Sequence, residues 1–301
     1  MNIIKDEIPV ALIIGKNGQV GYELCRSLSY FTKVTAIDYP DIDLNSRASI
    51  LEQLERFRPR VIANAAAYTA VDKAESEPAV AEAINAKAPA VMAEWAAENG
   101  AVMLHYSTDY VFNGTKESPW TEDDVPDPLN VYGVTKLAGD RAIDEAGCNY
   151  MIFRTSWVYG ARGKNFYLNM RKLLCEKEEL RVIDDQFGAP TWSRTLADIP
   201  ALALRTLLGT DDERAKELSG IYNLTNAGET TWFGFTQLIR RQLEAENPSV
   251  KLARLVPITT EEYPTAAQRP KHSALSGTKL AAVFGLRAQN WDAAAEMARN
   301  G

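Results

Sequence analysis

A glycine-rich turn near the N-terminus connects an apolar run to an amphipathic segment, and this order limits the possible folds more than any other feature. Val10–Ile14 is a short apolar run of the kind that forms a strand buried on both faces. Gly15–Gly21 carries glycines at three-residue spacing, and Val20, Leu24 and Leu28 then share one stripe of a helix. Glycines here let the backbone approach a pyrophosphate at the helix N-terminus. The order predicts a dinucleotide-binding unit, although the spacing differs by one residue from Gly-x-Gly-x-x-Gly.

A second apolar run, Val34–Ile37, ends at an acid that bears on the choice of dinucleotide. Asp38 lies 17 residues after the last glycine, where a strand of this type presents a carboxylate to the adenosine ribose. An acid in a surface turn is the other interpretation, and Asp41 and Asp43 are alternatives for the same role. Lys16, a cation inside the glycine segment, could meet a 2′-phosphate. The residues favour NADH slightly over NADPH and leave both open.

Tyr132 and Lys136 form the second informative pattern. They stand four residues apart, so on a helix they share one face. A nearby ammonium stabilises a phenolate, so we expect Lys136 to lower the pKa of Tyr132 and make it a proton-transfer group. Tyr-x-x-x-Lys alone is a weak signal, because an exposed helix face produces the same spacing by chance.

Apolar runs alternate with helical patterns over the first half of the chain. Alternation of this kind predicts a Rossmann-type, doubly wound α/β fold, in which ligands bind at the carboxyl ends of parallel strands. Predicted strands cover 10–14, 34–38, 61–64, 101–107 and 150–154, and predicted helices cover 19–31, 47–57, 74–99 and 134–146.

The pattern loosens after about residue 160. We predict a dinucleotide-binding domain over 1–160 and a smaller substrate domain over 161–301, with some segments returning to the main sheet. The elements expected there are helices at 165–177, 195–208 and 231–245 and short apolar runs at 180–183 and 221–225.

Composition excludes several classes of protein. The chain has 301 residues, is 46% hydrophobic and 24% charged, and has a net charge of −7, which argues against a nucleic-acid partner. Its three cysteines lie far apart and its two histidines are too few for a His-based zinc site, so no disulfide framework or metal centre is expected. No cleavable signal or membrane-length apolar run is evident, which favours a cytoplasmic protein without membrane contact.

Several blocks of sequence resemble the extended branch of the short-chain dehydrogenase/reductase superfamily, and most closely its dTDP-4-dehydrorhamnose reductases. The glycine turn and the Tyr/Lys pair resemble the superfamily at large. The blocks that resemble the reductase group are Thr69–Glu75, Tyr106–Phe112, Pro128–Gly139, Phe153–Tyr159, Asp185–Thr191 and Tyr263–Pro270.

The resemblance implies an NADPH- or NADH-dependent reduction of the 4-keto group of dTDP-4-dehydro-L-rhamnose. It implies Tyr132 as proton donor, Lys136 as ligand of the nicotinamide ribose, and Thr108 as partner of the carbonyl or the tyrosine; a capping hydroxyl is the other interpretation of Thr108. The cofactor contacts that it implies are Gly15, Lys16, Asn17, Gly18, Gln19, Val20, Gly21, Asp38, Asp43, Leu44, Ala65, Ala66, Ala67, Tyr106 and Lys136.

The resemblance also implies contacts with a nucleotide-sugar substrate. These are Thr108, Asp109, Tyr132, Trp157 and Arg269. A tryptophan after a strand is more often packed in a core, and Arg269 or the neighbouring lysine suits a diphosphate.

Some relatives form homodimers bridged by Mg²⁺, and Glu23 is the candidate ligand for such a bridge. Other acidic ligands are not evident, and Trp192–Arg194 stands where some members carry an acid. We therefore assign no metal ligand, and a homodimer stays open.

Two further functions remain open. One is an epimerase or dehydratase of the same branch acting on a nucleotide sugar; a dehydratase would ordinarily need an acid pair beside Thr108, where Asp109 is followed by Tyr110. The other is a non-catalytic regulatory subunit that binds a dinucleotide and a partner enzyme, which the presence of Tyr132, Lys136 and Thr108 argues against.

Overall fold

A computed structural model describes residues 8–299, which form an α/β fold around a six-stranded parallel sheet. In chain order the strands are β1 (Val10–Ile14), β2 (Lys33–Ile37), β3 (Val61–Asn64), β4 (Val102–Thr108), β5 (Asn149–Thr155), β6 (Val158–Tyr159), β7 (Glu179–Ile183), β8 (Phe187–Gly188), β9 (Thr191–Trp192), β10 (Gly220–Asn223), β11 (Thr230–Thr231) and β12 (Arg254–Ile258). The main sheet has the spatial order β2-β1-β3-β4-β5-β10, and each neighbouring pair is parallel. The predicted Rossmann-type sheet is confirmed.

Helices connect the strands on both faces of this sheet. In chain order they are α1 (Gln19–Leu28), α2 (Arg47–Phe57), α3 (Val71–Ala74), α4 (Pro78–Glu82), α5 (Ala88–Asn99), α6 (Val131–Glu145), α7 (Phe166–Glu176), α8 (Thr195–Leu208), α9 (Asp212–Leu218), α10 (Trp232–Glu246), α11 (Thr278–Phe284) and α12 (Trp291–Arg299), with a π-helix at Ala83–Lys87 and 3₁₀ turns at Asp109–Val111 and Thr260–Glu262. None of the helices between residues 8 and 299 has the length and apolar character needed to cross a membrane.

The helical segment expected over 74–99 is confirmed from Pro78 to Asn99, where α4, the π-helix and α5 follow one another without a gap, while residues 75–77 separate it from α3. Pro78 stands in the first turn of α4, where a missing N–H removes no helical hydrogen bond. Pro89 follows the π-helix at the start of α5. The π-helix between them contains Asn85, whose amide exchanges hydrogen bonds with the backbone of Tyr68.

The first strand shows why this half of the chain folds as a layered sheet. Ala11 and Ile13 pack into an apolar cluster on one face, together with Leu24 of α1. Leu12 and Ile14 pack into a second cluster on the other face. Because successive side chains of a strand point to opposite faces, an uninterrupted apolar run such as Val10–Ile14 must be covered on both sides.

The second half of the chain builds a separate apolar cluster around Tyr159, Trp192 and Phe235. Small parallel pairs, β6 with β9 and β7 with β12, frame this region. The strand β10 lies far beyond residue 160, yet it pairs with β5 at the edge of the main sheet. The division into domains at residue 160 therefore stays a prediction, because part of the later chain completes the first unit.

A buried ion pair fastens α6 to the main sheet. Arg154 Nε of β5 lies 3.2 Å from Asp140 Oδ2 of α6, and the side chains are 3% and 1% exposed. Ser107 Oγ of β4 donates to the same carboxylate oxygen at 2.9 Å. A carboxylate taken out of water in this way needs its partners, since an uncompensated buried charge is costly.

Replacement of Arg154 by methionine should destabilise the protein by roughly 3–5 kcal/mol, because Asp140 then lies buried without its cation. The measurement is urea unfolding at neutral pH. The control is Arg214→Met, which breaks the exposed pair of Arg214 with Glu217 and should change stability by no more than about 0.5 kcal/mol. Equal, small effects of the two substitutions would show that the buried pair does not hold α6.

Candidate active site

The glycine turn after β1 is shaped for close contact between backbone segments. Gly15 has a φ of +93°, and a Cβ at this position would lie 2.8 Å from the backbone nitrogen of Ala66. A Cβ at Gly21 would lie 2.1 Å from the carbonyl oxygen of Gly15. Both positions therefore require glycine, and they leave open space in front of the N-terminus of α1. The residues present fit a bound pyrophosphate.

A cleft of about 440 Å³ runs along the carboxyl ends of the central strands. Most of the predicted cofactor residues line it, namely Gly15, Asn17, Gly18, Gln19, Val20, Asp38, Ala65, Ala66, Ala67, Tyr106 and Lys136, and Tyr132 is in its wall. Four others do not line it, namely Lys16, Gly21, Asp43 and Leu44. The structure thus brings together residues from β1, β3, β4 and α6, as expected where parallel strands end.

Asp38 follows β2 directly and faces the glycine turn. Its carboxylate accepts hydrogen bonds from the backbone N–H of Asn17 at 3.0 Å and of Tyr39 at 2.8 Å. Lys16 Nζ lies 3.3 Å from Asp41 Oδ2 rather than beside Asp38. Asp38 therefore stabilises the glycine turn and also faces the cleft. Lys16 would have to break its ion pair with Asp41 to contact a 2′-phosphate.

The start of α6 places Tyr132 in the first helical turn. Asn130 caps the helix by accepting from the Gly133 N–H at 2.8 Å, and this defines Val131 as its first residue. Thr108, at the end of β4, accepts from the Tyr110 N–H at 3.1 Å and hydrogen-bonds the Tyr132 side chain. The capping interpretation of Thr108 is confirmed by this bond, and its catalytic role stays a prediction.

The pKa of Tyr132 is raised in the structure, whereas we expected it to be lowered by Lys136. Burial raises the pKa of Tyr132 above its usual value, and the carboxylates of Asp109 and Asp140 act in the same direction, against a hydrogen bond from Thr108. The Nζ of Lys136 is hydrogen-bonded to the carbonyl oxygen of Tyr106 at 2.6 Å. Burial lowers the pKa of Lys136 itself to about 8, against the opposing effect of Asp140.

Asp109 lies next to this group and is 2% exposed. Thr108 Oγ1 donates to Asp109 Oδ1 at 3.0 Å. Burial raises the pKa of Asp109 to about 7, although hydrogen bonds with Ser273 and Thr108 act in the opposite direction. The carboxyl therefore changes charge near neutral pH, within contact of the hydroxyl that reaches Tyr132.

A second, larger cleft of about 690 Å³ lies beside the first and carries the predicted substrate residue Arg269. Arg269 pairs with Asp72 at 2.7 Å and hydrogen-bonds Tyr110, so it links the second half of the chain to α3 and to the 3₁₀ turn. Arg181 and Trp232 also line this cleft.

Trp157 contacts a residue of this cleft and has a strained backbone conformation. It has a φ of +46°, and its ring stacks on Trp232 with centroids 3.6 Å apart. The strain of a left-handed tryptophan persists only where surrounding contacts hold it, and such positions cluster at functional sites. Trp157 does not itself line the second cleft among the described residues, so its substrate contact stays a prediction.

Glu23, the candidate metal ligand, is surrounded by cations. Its carboxylate lies 3.1 Å from Arg26 and 3.4 Å from Arg194. No group of three or more His, Cys, Asp or Glu side chains that could hold a metal is found between residues 8 and 299. Two arginines already neutralise Glu23, so the arrangement does not fit Mg²⁺, and the dimer contact stays a prediction.

Sequence reasoning missed several residues at this site. Asp140 was detectable, because Tyr132, Lys136 and Asp140 stand four residues apart and share one face of a helix. Asn64 and His105 gave no signal, since their contact depends on the pairing of β3 with β4. Lys164, which lines the first cleft, follows a loop whose course no local pattern specifies.

The chain matches the model of the family described as RmlD substrate binding domain over residues 10–300. A dTDP-4-dehydrorhamnose reductase of Burkholderia thailandensis is 45% identical over 284 residues, which are 93% of this chain and 94% of that relative. A dTDP-4-dehydrorhamnose reductase of Escherichia coli K12 is 44% identical over 93% of each chain.

Solved structures show the same similarity. The dTDP-4-dehydrorhamnose reductase of Bacillus anthracis in complex with NADP superposes with a TM-score of 0.87 at 32% identity, over 97% of this chain and 99% of that chain. The UDP-glucose 4-epimerase of Thermus thermophilus in complex with NAD superposes with a TM-score of 0.76 at 16% identity, over 97% of this chain and 99% of that chain. The second likeness concerns the fold alone.

Replacement of Asp38 by alanine should weaken the binding of NADH more than the binding of NADPH. A carboxylate here accepts from a 2′-hydroxyl and repels a 2′-phosphate, and loss of a hydrogen bond to a charged group costs about 1.5–3 kcal/mol, or at least about tenfold in Kd. The measurement is calorimetric titration with both dinucleotides. Asp43→Ala is the control, because Asp43 lies outside the cleft walls. Equal losses for the two cofactors would show that Asp38 acts only on the glycine turn.

The ionisation of Asp109 should make stability depend on pH. The folded protein keeps the Asp109 proton up to about pH 7, whereas the ordinary pKa of an aspartate is 3.8. The folded state thus binds more protons between these values, and its stability falls as the pH rises through this window. The stability of the wild type relative to Asp109→Asn should fall by a few kcal/mol from pH 4 to pH 8, at about 1.4 kcal/mol per pKa unit. A stability difference between the two proteins that does not change with pH would contradict the raised pKa of the buried Asp109 carboxyl.

Proposed function

The chain belongs to the RmlD substrate binding domain family, and we propose that it reduces the 4-keto group of dTDP-4-dehydro-L-rhamnose with hydride from NADPH or NADH. Relatives with this activity in their names align over more than nine-tenths of the chain. The similarity to a structure in complex with NADP supports a nicotinamide cofactor.

The observation that carries the proposal is the position of one tyrosine. Tyr132 stands in the wall of the same cleft that the glycine turn opens into. Thr108 hydrogen-bonds Tyr132 at the inner side of this wall. A phenol beside a dinucleotide cleft places a proton donor where a carbonyl compound meets the nicotinamide, which is the requirement for ketone reduction.

The bound dinucleotide supplies the hydride, and the protein supplies the proton. Burial keeps Tyr132 protonated at neutral pH, so its hydroxyl is ready to donate to the carbonyl oxygen as negative charge develops there. Thr108 Oγ1 donates its hydrogen to Asp109 Oδ1 and also hydrogen-bonds Tyr132, so it lies beside the phenol. Lys136 lines the same cleft, which supports its assignment as a ligand of the nicotinamide ribose.

The second cleft suits the nucleotide part of the substrate. Trp232, Arg181 and Arg269 are among its lining residues. Aromatic and guanidinium groups recognise a base and a diphosphate respectively. Arg269 already pairs with Asp72, so a diphosphate would compete with that carboxylate. The cleft lies on the side of the chain that contributes β7 and α10.

Replacement of Tyr132 by phenylalanine should abolish most turnover and leave dinucleotide binding nearly unchanged, because only the proton donor is removed. General acid catalysis contributes about 10²–10⁴-fold to a rate. The measurement follows nicotinamide absorbance with dTDP-4-dehydro-L-rhamnose and a panel of other 4-keto nucleotide sugars.

Two results would contradict the proposal. A variant that keeps turnover within about tenfold of the wild type, or roughly 1.4 kcal/mol of barrier, would show that another residue is the acid. A wild-type protein that oxidises neither dinucleotide with any 4-keto sugar would not be a reductase. Formation of an epimer with retained, tightly bound NAD would instead support an epimerase.

A further inference from the structure

A short segment from the second half of the chain lies against the start of α1. Residues 160–165 follow β6 and lead into α7, and Gly163 and Lys164 line the first cleft together with the glycine turn. A Cβ at Gly163 would lie 3.4 Å from the Cγ of Gln19, the first residue of α1. The 160–165 segment therefore lies beside the helix N-terminus that suits a pyrophosphate.

Hydrogen bonds hold this segment in place. Gln19 Nε2 donates to the carbonyl oxygen of Val158 at 3.4 Å, and Gln19 Oε1 accepts from Asn165 Nδ2 at 2.8 Å. Asn165 Nδ2 also lies 3.0 Å from the carbonyl oxygen of Gly160. The Oδ1 atom of Asn165 caps α7 by accepting from the Leu168 N–H at 2.9 Å. The side chain of Gln19 thus ties the segment to α1, and the protein's own contacts fix its course.

The two cations of the segment have different surroundings. Arg162 places its guanidinium 3.9 Å from the ring centroid of Tyr22, a cation–π contact. Lys164 is exposed and forms no hydrogen bond or ion pair within residues 8–299. The other charged residues in the wall of the first cleft are Asp38, an acid, and Lys136, which is 1% exposed. Among the described residues of this wall, Lys164 is therefore the cation that is free to bind an anion.

The strand order assigns the segment to one part of the cleft. The strands run β2-β1-β3-β4, with Asp38 after β2 and Tyr106 on β4 in the cleft wall. In the proposed function the adenosine ribose lies beside Asp38, and the nicotinamide lies towards β4. The glycine turn and α1 follow β1, between these ends. Because the 160–165 segment contacts α1, Lys164 lies beside the middle of the cleft, where the two phosphates of a dinucleotide belong.

We propose that Lys164 is a phosphate ligand and that the 160–165 segment holds the pyrophosphate of a dinucleotide against the N-terminus of α1. The identity of this ligand rests on the proposed function. The helix N-terminus offers backbone N–H groups and a partial positive charge, and Lys164 adds a full charge from the adjoining segment. The pyrophosphate is common to NADH and NADPH, so Lys164 increases the affinity for both and does not distinguish them.

Calorimetric titration of substituted proteins tests the proposal. Lys164→Met should weaken the binding of NADH and of NADPH by the same factor, about tenfold in Kd, because a hydrogen bond to a charged group is lost. ADP-ribose should lose affinity by the same factor, since it keeps the pyrophosphate and lacks the nicotinamide. Lys164→Arg should stay within about twofold of the wild type, because it keeps the charge.

Lys172→Met is the matched control for the loss of one positive charge. Lys172 is an exposed lysine of α7, its nearest acid is Glu176 at 3.9 Å, and it lies outside the walls of the first cleft. This variant should bind both dinucleotides as the wild type does. The Kd ratio of Lys164→Met to wild type should also shrink as salt rises from about 0.05 M to about 0.5 M, since ions screen an exposed charge.

Chemical labelling of the wild type gives a second readout that needs no substitution. An amine-reactive reagent should modify Lys164 in the free protein, and saturating NADH should protect it. Lys172 should react equally in both samples, and mass spectrometry of the peptides measures both residues. Equal reactivity of Lys164 with and without NADH would overturn the inference.

Three titration results would also overturn it. One is a Lys164→Met protein whose affinities for both dinucleotides stay within about twofold of the wild type. The second is a loss confined to NADPH, which would assign Lys164 to the 2′-phosphate. The third is a loss that Lys164→Arg does not restore, which would show that the residue shapes the segment and does not bind a phosphate.

Binding and turnover separate this inference from the proposed function. The titrations need no sugar, so a protein that binds dinucleotides through Lys164 and reduces no 4-keto sugar would support the inference and refute the reductase. Turnover by the wild type with undiminished affinity in Lys164→Met would refute the inference and keep the reductase. A wild type that binds no dinucleotide would refute both.

Discussion

The burial of one polar face of α6 against β4 and β5 is the constraint on which the rest of the site depends. Tyr132, Lys136 and Asp140 repeat every four residues along that face. Each has a partner on a different part of the sheet: Asp140 Oδ2 is paired with Arg154, Lys136 with the end of β4, and Tyr132 with Thr108. Buried polar groups are costly without partners, so these contacts favour one position of the helix against the sheet. The reactive tyrosine is thereby fixed at the cleft wall.

Much of the fold was predictable because its signals are local. The apolar run before the glycine turn must be covered on both faces, and this dictates a parallel sheet with helices on either side. The bounds of α8 agree with the expectation over 195–208. The π-helix within 74–99 was harder to predict, because the segment keeps a helical pattern throughout. It lies between two prolines and contains an asparagine that bonds a distant backbone segment, and only the prolines are visible locally.

The sequence predicted which residues form the candidate site, but it did not predict their pKa values. Local spacing placed Tyr132 and Lys136 together, yet the pKa of Tyr132 is raised where we expected it to be lowered. The reason is non-local: burial raises the pKa of Tyr132, and the carboxylates of Asp109 and Asp140 act in the same direction. Asn64 and His105 meet only through strand pairing, so the contact of His105 with the Lys136 amine has no counterpart in sequence spacing. Charge states in such a site follow from tertiary contacts.

The central claim is that a nicotinamide dinucleotide bound in this cleft would transfer hydride to the C4 carbon of a nucleotide sugar while Tyr132 donates the proton. Isotope transfer tests it most directly. NADPH carrying two deuterium atoms at nicotinamide C4 should be incubated with dTDP-4-dehydro-L-rhamnose, and the sugar product analysed by NMR. One deuterium at C4 of the sugar per dinucleotide oxidised is the result that the mechanism predicts. Deuterium at another carbon, or oxidation of the dinucleotide without label in the sugar, would contradict it.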